Sequence, residues 1–509
     1  MKNNIGVIDI GSNSVHLVVA KCYDDYGNYT IIDDAKVNVR LCEGLSETGR
    51  LSEERMALGE ETLAMFARMC DAYGLIEVVA VATAAVRKAE NGAEFVKRIK
   101  EKVGIDIQVI PGEMEAQMDY LGTINSIDIQ DALLMDIGGG SVEFVLIKNR
   151  QKVDAISLPF GSIDLAEKFD LADVATPEKL DRLSAFLDGA LCQYDLFKKA
   201  KSLPVLGVGG TIRNIGRIYR RALDYPLEIA HNYQMDLDAV KSVCKTAAEL
   251  NLEGRRELKG LSKGRSDIFI GASHAVMMVM ERIGSKSLVI SDAGVRDGLI
   301  YTYFGRTEGD LIDHIFESSL GYAVDRFTVN IPHARHIYKL SDQLYTQLEP
   351  IHGVNGSLDR IRKTSAMLHD AGIMIQYNNH HEHSFYLILS AGINGLTQKE
   401  LLMSAFVALN HRTQKKIKID AIYTSMLDKR DLEIIDLLSL FLQIAEYLDR
   451  SMDGIVTDLS CEIQEDTVVL HVISKEASVF TDMIISECGK KFKRVMGKEL
   501  FIENVIEGV

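Results

Sequence analysis

The chain has 509 residues, 47% hydrophobic and 26% charged, with a formal net charge of −16. That length leaves room for roughly three to four domains of about 150 residues, and the composition is that of a folded globular protein rather than a disordered one. The acidic balance disfavours non-specific nucleic-acid binding, so any anion site has to be locally basic. The chain enters a strand directly at MKNNIGVIDIG, without a charged-then-apolar leader, and no run approaches the about 20 apolar residues of a membrane helix, so a cytoplasmic location is expected. Cys22, Cys42, Cys70, Cys192, Cys244, Cys461 and Cys488 are scattered without a CxxC pair, which predicts reduced core thiols rather than disulfides or a structural zinc site.

In chain order, the first element is VIDIGSNSVHLVV at 7–19, and it returns as LMDIGGGSVEFVL at 134–146. Asp9/Asp136, Gly11/Gly138, Ser14/Ser141 and Val15/Val142 share one offset of 127. Each copy reads as an apolar strand, an acid, a Gly/Ser turn with free N–H groups, and an alternating strand. That is a hairpin suited to phosphate, and the pair predicts two similar half-domains facing each other across a cleft. After the first hairpin come a strand near 29–41, a helix over 52–73, strand 76–82, helix 84–103, strand 106–110 and helix 112–120. Such alternation implies a mixed or parallel sheet covered by helices.

The second hairpin continues into a strand at 153–160 and a helix capped by Thr176-Pro177. LPVLGVGG (203–210) is read as a buried strand ending in a glycine turn, helices follow near 237–250 and 268–283, and SLVISDAG (287–294) completes this half. Between the two helices, GRRELKGLSKGR (254–265) carries Arg255, Arg256, Lys259, Lys263 and Arg265. It is either a rim for a long anionic substrate or a solvated basic loop. From about 305 the apolar residues recur at helical spacing through 311–324, 333–348, 358–372, 384–391, 398–410 and 430–450. The tail, a strand over 461–474, a helix over 476–492 and KELFIENV, reads as a small β-α-β unit.

Ordered blocks over the first 300 residues carry a family resemblance. IDIGSNSVHLVV (8–19), VRLCEGL (39–45), ATAAVRKAENG (82–92), PGEMEAQ (111–117), MDIGGGSVEF (135–144), GVGGTIRN (207–214), GLSKGRSD (260–267) and GVRDGL (294–299) resemble the exopolyphosphatase/guanosine pentaphosphate phosphohydrolase (Ppx/GppA) family of the actin–sugar kinase–Hsp70 superfamily. The resemblance implies an α/β fold of two actin-like (ribonuclease H-like) half-domains around a cleft, at 1–124 and 125–304. An all-α HD-like domain over 305–455 and a small α+β domain over 456–509 would follow.

The resemblance places the catalytic base on Glu115 and magnesium on Asp136 and Glu143, with Asp9 supporting metal-bound water from the other half. A carboxylate that activates water, with cations offsetting charge on phosphoryl oxygens, is what phosphoanhydride hydrolysis requires. The bland alternatives are a helix-start glutamate favoured by the dipole and a surface-facing Glu143. Gly11, Ser12, Asn13 and Ser14 offer donors to one phosphate and Gly138, Gly139, Gly140 and Ser141 to another. Arg87 would add a bidentate clamp, and Gly209, Gly210 and Thr211 form a turn before a helix, a ready anion site or an ordinary glycine turn. Three positions depart from the family pattern: His16 and Gln117 stand where arginine is usual, and Ala84 where serine is common.

HARHI (333–337), MLHDAG (367–372), HHEHS (380–384) and NHR (410–412) resemble the HD phosphohydrolase fold. His333, His369 and Asp370 sit where HD enzymes bind metal, with Glu446 in place of the closing aspartate. They are either metal ligands or satisfied buried or dimer-contact histidines, in a helical domain expected to lengthen a polyphosphate channel. The expected activity is magnesium-dependent release of terminal orthophosphate from inorganic polyphosphate, with manganese as a substitute and potassium as a further cation. Hydrolysis of guanosine pentaphosphate, sugar-kinase-like phosphotransfer, a non-enzymatic polyphosphate or alarmone sensor and an HD nucleotide phosphohydrolase are the competing readings. The resemblance also implies a homodimer, with no nucleic-acid or membrane partner.

Overall fold

The computed structural model describes residues 4–23, 28–75, 77–412, 421–423, 425–476 and 481–507. The chain forms two compact units, Met1–Ile315 and Phe316–Val509.

The first unit holds two sheets with one repeated plan. The strands are β1 (Asn4–Ile10), β2 (Val15–Tyr23), β3 (Asn28–Val37), β4 (Glu77–Ala82), β5 (Ile107–Val109), β6 (Ala132–Ile137), β7 (Val142–Lys148), β8 (Gln151–Leu158), β9 (Val205–Val208), β10 (Tyr233–Asp236) and β11 (Ser287–Ile290). The first sheet runs β3-β2-β1-β4-β5 and the second β10-β11-β9-β6-β7-β8. In both, an antiparallel three-strand meander (β1-β2-β3, β6-β7-β8) is extended by parallel strands (β4 and β5; β9 and β11). The 127-residue sequence repeat is therefore a repeat of topology, and the halves are actin-like. β1 and β6 are central in their sheets, so their apolar residues are buried on both faces: Ile5, Val7, Ile8 and Ile10 in one, Leu133, Leu134, Met135 and Ile137 in the other.

Two expectations are modified here. The helix read over 84–103 is two helices, Ala84–Lys88 and Gly92–Val103. The buried Asn91 amide pairs with both backbone groups of Leu51, accepting at 2.8 Å and donating at 2.9 Å, which draws the chain out of helical geometry. Residues 305–315, grouped by sequence with the helical part, pack with the first unit: Ile312 N–H donates to Asn125 Oδ1 (2.8 Å), and Arg150 donates to the Ile312 carbonyl (2.9 Å).

The second unit is helical over Ile315–Arg326, Ile331–Gln347, Asp359–Leu368, His380–Ser390, Gln398–Leu409 and Lys429–Leu448. The last is its central element, with buried residues on every face, as expected of a helix enclosed by others. Capping boxes at Thr397/Glu400 and Asp428/Asp431 set two of the starts. The tail is ββαβ rather than β-α-β. Charged and polar Gln464–Asp466 turn the run read as one strand into a hairpin of β12 (Val456–Ile463) and β13 (Thr467–Ser474). The helix Thr481–Met496 then leads to β14 (Glu499–Ile506), parallel to β13. Ile76 and residues 477–480, within the expected strand and helix, lie outside the described residues. Among the described residues no helix is long and apolar enough to cross a membrane.

Candidate active site

The two Gly/Ser turns are built alike. Gly11 N–H donates to the Ser14 carbonyl (3.1 Å) and Gly138 N–H to that of Ser141 (3.0 Å). The next segments then take up the loop carbonyls: Ser12 O and Asn13 O accept from Cys42 and Arg40, and Gly138 O and Gly139 O from Ser162 and Ile163. With its carbonyls occupied, each loop is left with N–H groups and hydroxyls for an anion. The loops meet at the floor of one cleft, where Ser12 lies so close to Gly139 and Gly140 that a Cβ on either would come within 2.8–2.9 Å of it. Gly11–Ser14, Gly138–Ser141, Asp9, Glu115, Asp136, Gly209 and Gly210 all line this cleft.

The sheets add a second repeat, of side-chain rows. Asp9, His16 and Lys36 are register partners across β1, β2 and β3, and Asp136, Glu143 and Ser157 occupy the equivalent places on β6, β7 and β8. Register partners share a face of the sheet, so each half presents one row beneath its loop. Glu143 is fully buried, with Oε1 accepting from Ser157 Oγ at 2.8 Å. Asp136 Oδ1, Glu143 Oε2 and both Asp119 oxygens are buried without a hydrogen-bond partner. Burial raises the Asp136 carboxyl to about 6 against the opposing pull of Arg213. Glu143 and Asp119 are pushed well above the carboxylate range, first by burial and then by the neighbouring acids. Unpaired, mutually repelling carboxylates with free oxygens are a donor set that fits a hard divalent cation taking few protein ligands.

Glu115 stands in the first turn of helix Gly112–Ile124 and is 6% exposed. Burial lifts its carboxyl to about 7, with Arg87 opposing and Asp136 reinforcing the shift. Arg87 is on Glu115 and not among the residues lining the cleft: its Nη1 reaches Glu115 Oε2 at 3.1 Å and the Ile110 carbonyl at 2.7 Å. Helix Val295–Tyr303 crosses helix Gly112–Ile124 with Gly122 against the backbone of Gly294 and Gly298 and with Gly298 against that of Met118, so a Cβ on Gly122 or Gly298 would overlap backbone. That crossing holds Glu115, Asp119 and Arg296 together.

The cations facing the loops come from four separate segments: Lys36, Arg213, Arg265 and Arg296. Arg296 Nη1 is buried without a hydrogen bond, although Asp34 is 3.5 Å away. Arg265 lies over Gly210, where a Cβ would overlap its guanidinium, and Gly209 adopts φ 93° against Asp136. Thr211 is buried one residue further along helix Gly210–Ala222 and does not line the cleft. Burial and Arg296 lower His16 to about 2, so this departure is a neutral imidazole among cations. Gln117, the second position where arginine is usual, accepts from Lys152, which supplies a cation in its vicinity. The basic run 254–265 divides: Arg265 enters the cleft, whereas Arg255 is fully buried and donates to the carbonyls of Ser266, Leu250 and Ala172. Sequence reasoning missed Lys36, Asp119, Arg213 and Arg296, of which Arg213 and Arg296 lie inside the GVGGTIRN and GVRDGL blocks.

Residues 7–307 match the Ppx/GppA phosphatase family and residues 315–483 match Ppx/GppA phosphatase, domain III. The chain belongs to the Ppx/GppA phosphatase family. A guanosine-5'-triphosphate,3'-diphosphate pyrophosphatase of Pseudoalteromonas translucida is 28% identical over 422 residues, 81% of each chain. A Ppx/GppA family member of Aquifex aeolicus is 30% identical with a TM-score of 0.52, covering 59% of this chain and 97% of its own. An exopolyphosphatase of Cytophaga hutchinsonii is 25% identical with a TM-score of 0.56, covering 60% and 98%. In the second unit, His333, His369, Asp370 and Glu446 converge, with side chains at most 11% exposed.

Proposed function

We propose that this phosphatase hydrolyses the terminal phosphoanhydride bond of inorganic polyphosphate and releases orthophosphate. One observation carries the reading: a carboxyl with pKa about 7, two phosphate-type loops and four cations share a single cleft. Its apolar lining is confined to Ile137, Val208 and Val295, so nearly all the recognition on offer is of the kind phosphate oxygens accept.

Glu115 holds a water and takes its proton, and the water oxygen bonds to the terminal phosphorus as the bond to the bridging oxygen breaks. The loop N–H groups and the cations carry the negative charge of the phosphoryl oxygens and of the leaving chain. Arg87 keeps the Glu115 carboxylate oriented and partly ionised at neutral pH. Asp136 and Glu143, with Asp9 nearby, would hold magnesium, which when bound supplies charge neutralisation at the phosphoryl oxygens.

A second reading is hydrolysis of guanosine pentaphosphate, favoured by the activity named for the Pseudoalteromonas relative. Orthophosphate release from long-chain polyphosphate and from guanosine pentaphosphate, measured in parallel with magnesium or manganese for wild type and Glu115→Gln, separates them. Release mainly from polyphosphate that Glu115→Gln abolishes is the expected result. Release only from the nucleotide selects the second reading, and turnover retained by Glu115→Gln overturns the assignment of the base.

A further inference from the structure

The row Asp136, Glu143, Ser157 crosses β6, β7 and β8 in that order on one face of the second sheet. Glu143 therefore stands between an acid on one side and a hydroxyl on the other. A serine hydroxyl has one proton to give, and Ser157 gives it to Glu143 Oε1 at 2.8 Å. That bond turns Oε1 towards β8. Oε2 is left buried and without a hydrogen bond, free for a cation shared with Asp136.

The place of the hydroxyl is set from a second direction by Gly112, the first residue of the helix that carries Glu115. A Cβ at Gly112 would overlap both Oγ and Cβ of Ser157, so glycine at this position is what leaves room for the serine. Glu143 itself is fully buried, with 0% of its surface exposed, and its neighbours on the sheet decide which of its oxygens a cation can use.

Magnesium and calcium differ on this point. Calcium takes roughly six to eight oxygens at about 2.3–2.6 Å and often both oxygens of one carboxylate. Magnesium demands a near-ideal octahedron at about 2.0–2.1 Å, which the narrow bite of a chelating carboxylate distorts, and it completes its shell with water and substrate phosphate. The oxygens of a phosphate chain accept either ion, so discrimination falls to the protein. Given Asp136 and Glu143 as the magnesium ligands, the reading on which this rests, we propose that Ser157 is a specificity-determining residue of the cleft. By occupying Oε1 it confines Glu143 to coordination through Oε2 and so favours magnesium over calcium. Gly112 is the positioning residue that keeps the hydroxyl in place.

The test measures Mg2+ and Ca2+ binding to the full, metal-stripped chain by titration calorimetry, with the binding that remains in Asp136→Asn subtracted as binding elsewhere. In Ser157→Ala the magnesium affinity should fall about tenfold or more while the calcium affinity holds or rises, so that the preference for magnesium drops by about tenfold or more. Gly112→Ala, whose added methyl displaces the hydroxyl, should shift the preference in the same direction. A merely structural loosening would weaken both ions together and leave their ratio unchanged. In crystals grown with calcium, the ion should touch one oxygen of Glu143 in wild type and both in Ser157→Ala. Should Ser157→Ala fail to fold, the ratio in Gly112→Ala decides in its place. An unchanged ratio while Asp136→Asn removes the binding, or calcium on both oxygens in wild type, overturns the role of Ser157. Magnesium binding that Asp136→Asn leaves intact overturns instead the ligand reading beneath it.

Discussion

Asp136 and Glu143 are register partners on β6 and β7, two acids on one face with a tight turn between them. Their charges repel, and Glu143 is fully buried, so without a cation its carboxyl holds a proton. Activity and stability should therefore respond differently to Glu143→Gln. The substitution keeps the shape and removes a charge that the metal-free protein does not carry, so its melting temperature without metal should move by less than about 3 °C. The rise in melting temperature produced by magnesium should shrink or vanish, and phosphate release should fall by about 100-fold or more. Thermal scans with and without magnesium, beside a phosphate assay, read both. A large loss of metal-free stability with intact magnesium response would remove Glu143 from the metal site.

The same acids set how metal-free stability depends on pH. Unfolded Asp and Glu titrate near 3.9 and 4.3, whereas Asp136 is raised to about 6 and Glu115 to about 7. Between these limits the folded protein holds protons that the unfolded chain has released. Their contribution is fully present below about pH 4 and is lost as pH rises through 6 and 7. For these groups, denaturant midpoints of the metal-free protein should fall from pH 5 to pH 8, and saturating magnesium should flatten the trend. Asp136→Asn should flatten it without metal. A midpoint that rises over this range in wild type and not in Asp136→Asn would contradict the assignment.

The rate profile follows from two groups of opposite sign. Glu115 must be ionised to accept a proton, so kcat/KM should rise through about pH 7. Lys36, at the cleft rim, is lowered to about 8 by partial desolvation and by Arg265, Arg213 and Arg296, so binding should weaken above that pH as its charge is lost. Arg87→Ala removes the cation holding Glu115 ionised. It should move the acid limb upward and lower kcat/KM at pH 7 by about tenfold or more, with partial recovery at higher pH and in Arg87→Lys. A purely structural role for Arg87 would lower the rate without moving the limb.

The repeated hairpins were readable because a tight turn and period-2 alternation fix side-chain parity: residues 9 and 16, like 136 and 143, fall opposite each other before any tertiary contact is known. The tandem offset likewise announced two sheets of one topology. What sequence could not show was convergence. Lys36, Arg213, Arg265 and Arg296 lie on four segments up to 260 residues apart, and only the sheet order and the glycine-mediated helix crossing bring them together. Spacing also misleads where the partner is another side chain, as with Arg87, which is on Glu115. It misleads again where a short helix turns one member of a basic run inward, as with Arg255 on its three carbonyls.

Gly210 and Arg265 give the sharpest single test of the cation set. The guanidinium occupies the space that a Cβ at Gly210 would fill, and burial with Arg213 nearby lowers Arg265 to about 10, still charged at neutral pH. Gly210→Ala should displace Arg265 from the loop while leaving helix Gly210–Ala222 intact, since alanine is the stronger helix former. Loss of one charge-assisted contact to phosphate is worth about 1.5–3 kcal/mol, so KM for polyphosphate should rise roughly 10- to 100-fold. Arg265→Ala should give a similar rise. Because both changes remove one contact, the double variant should be little worse than Arg265→Ala alone. Additive losses in that cycle would mean that Gly210 acts on the substrate by a route independent of Arg265.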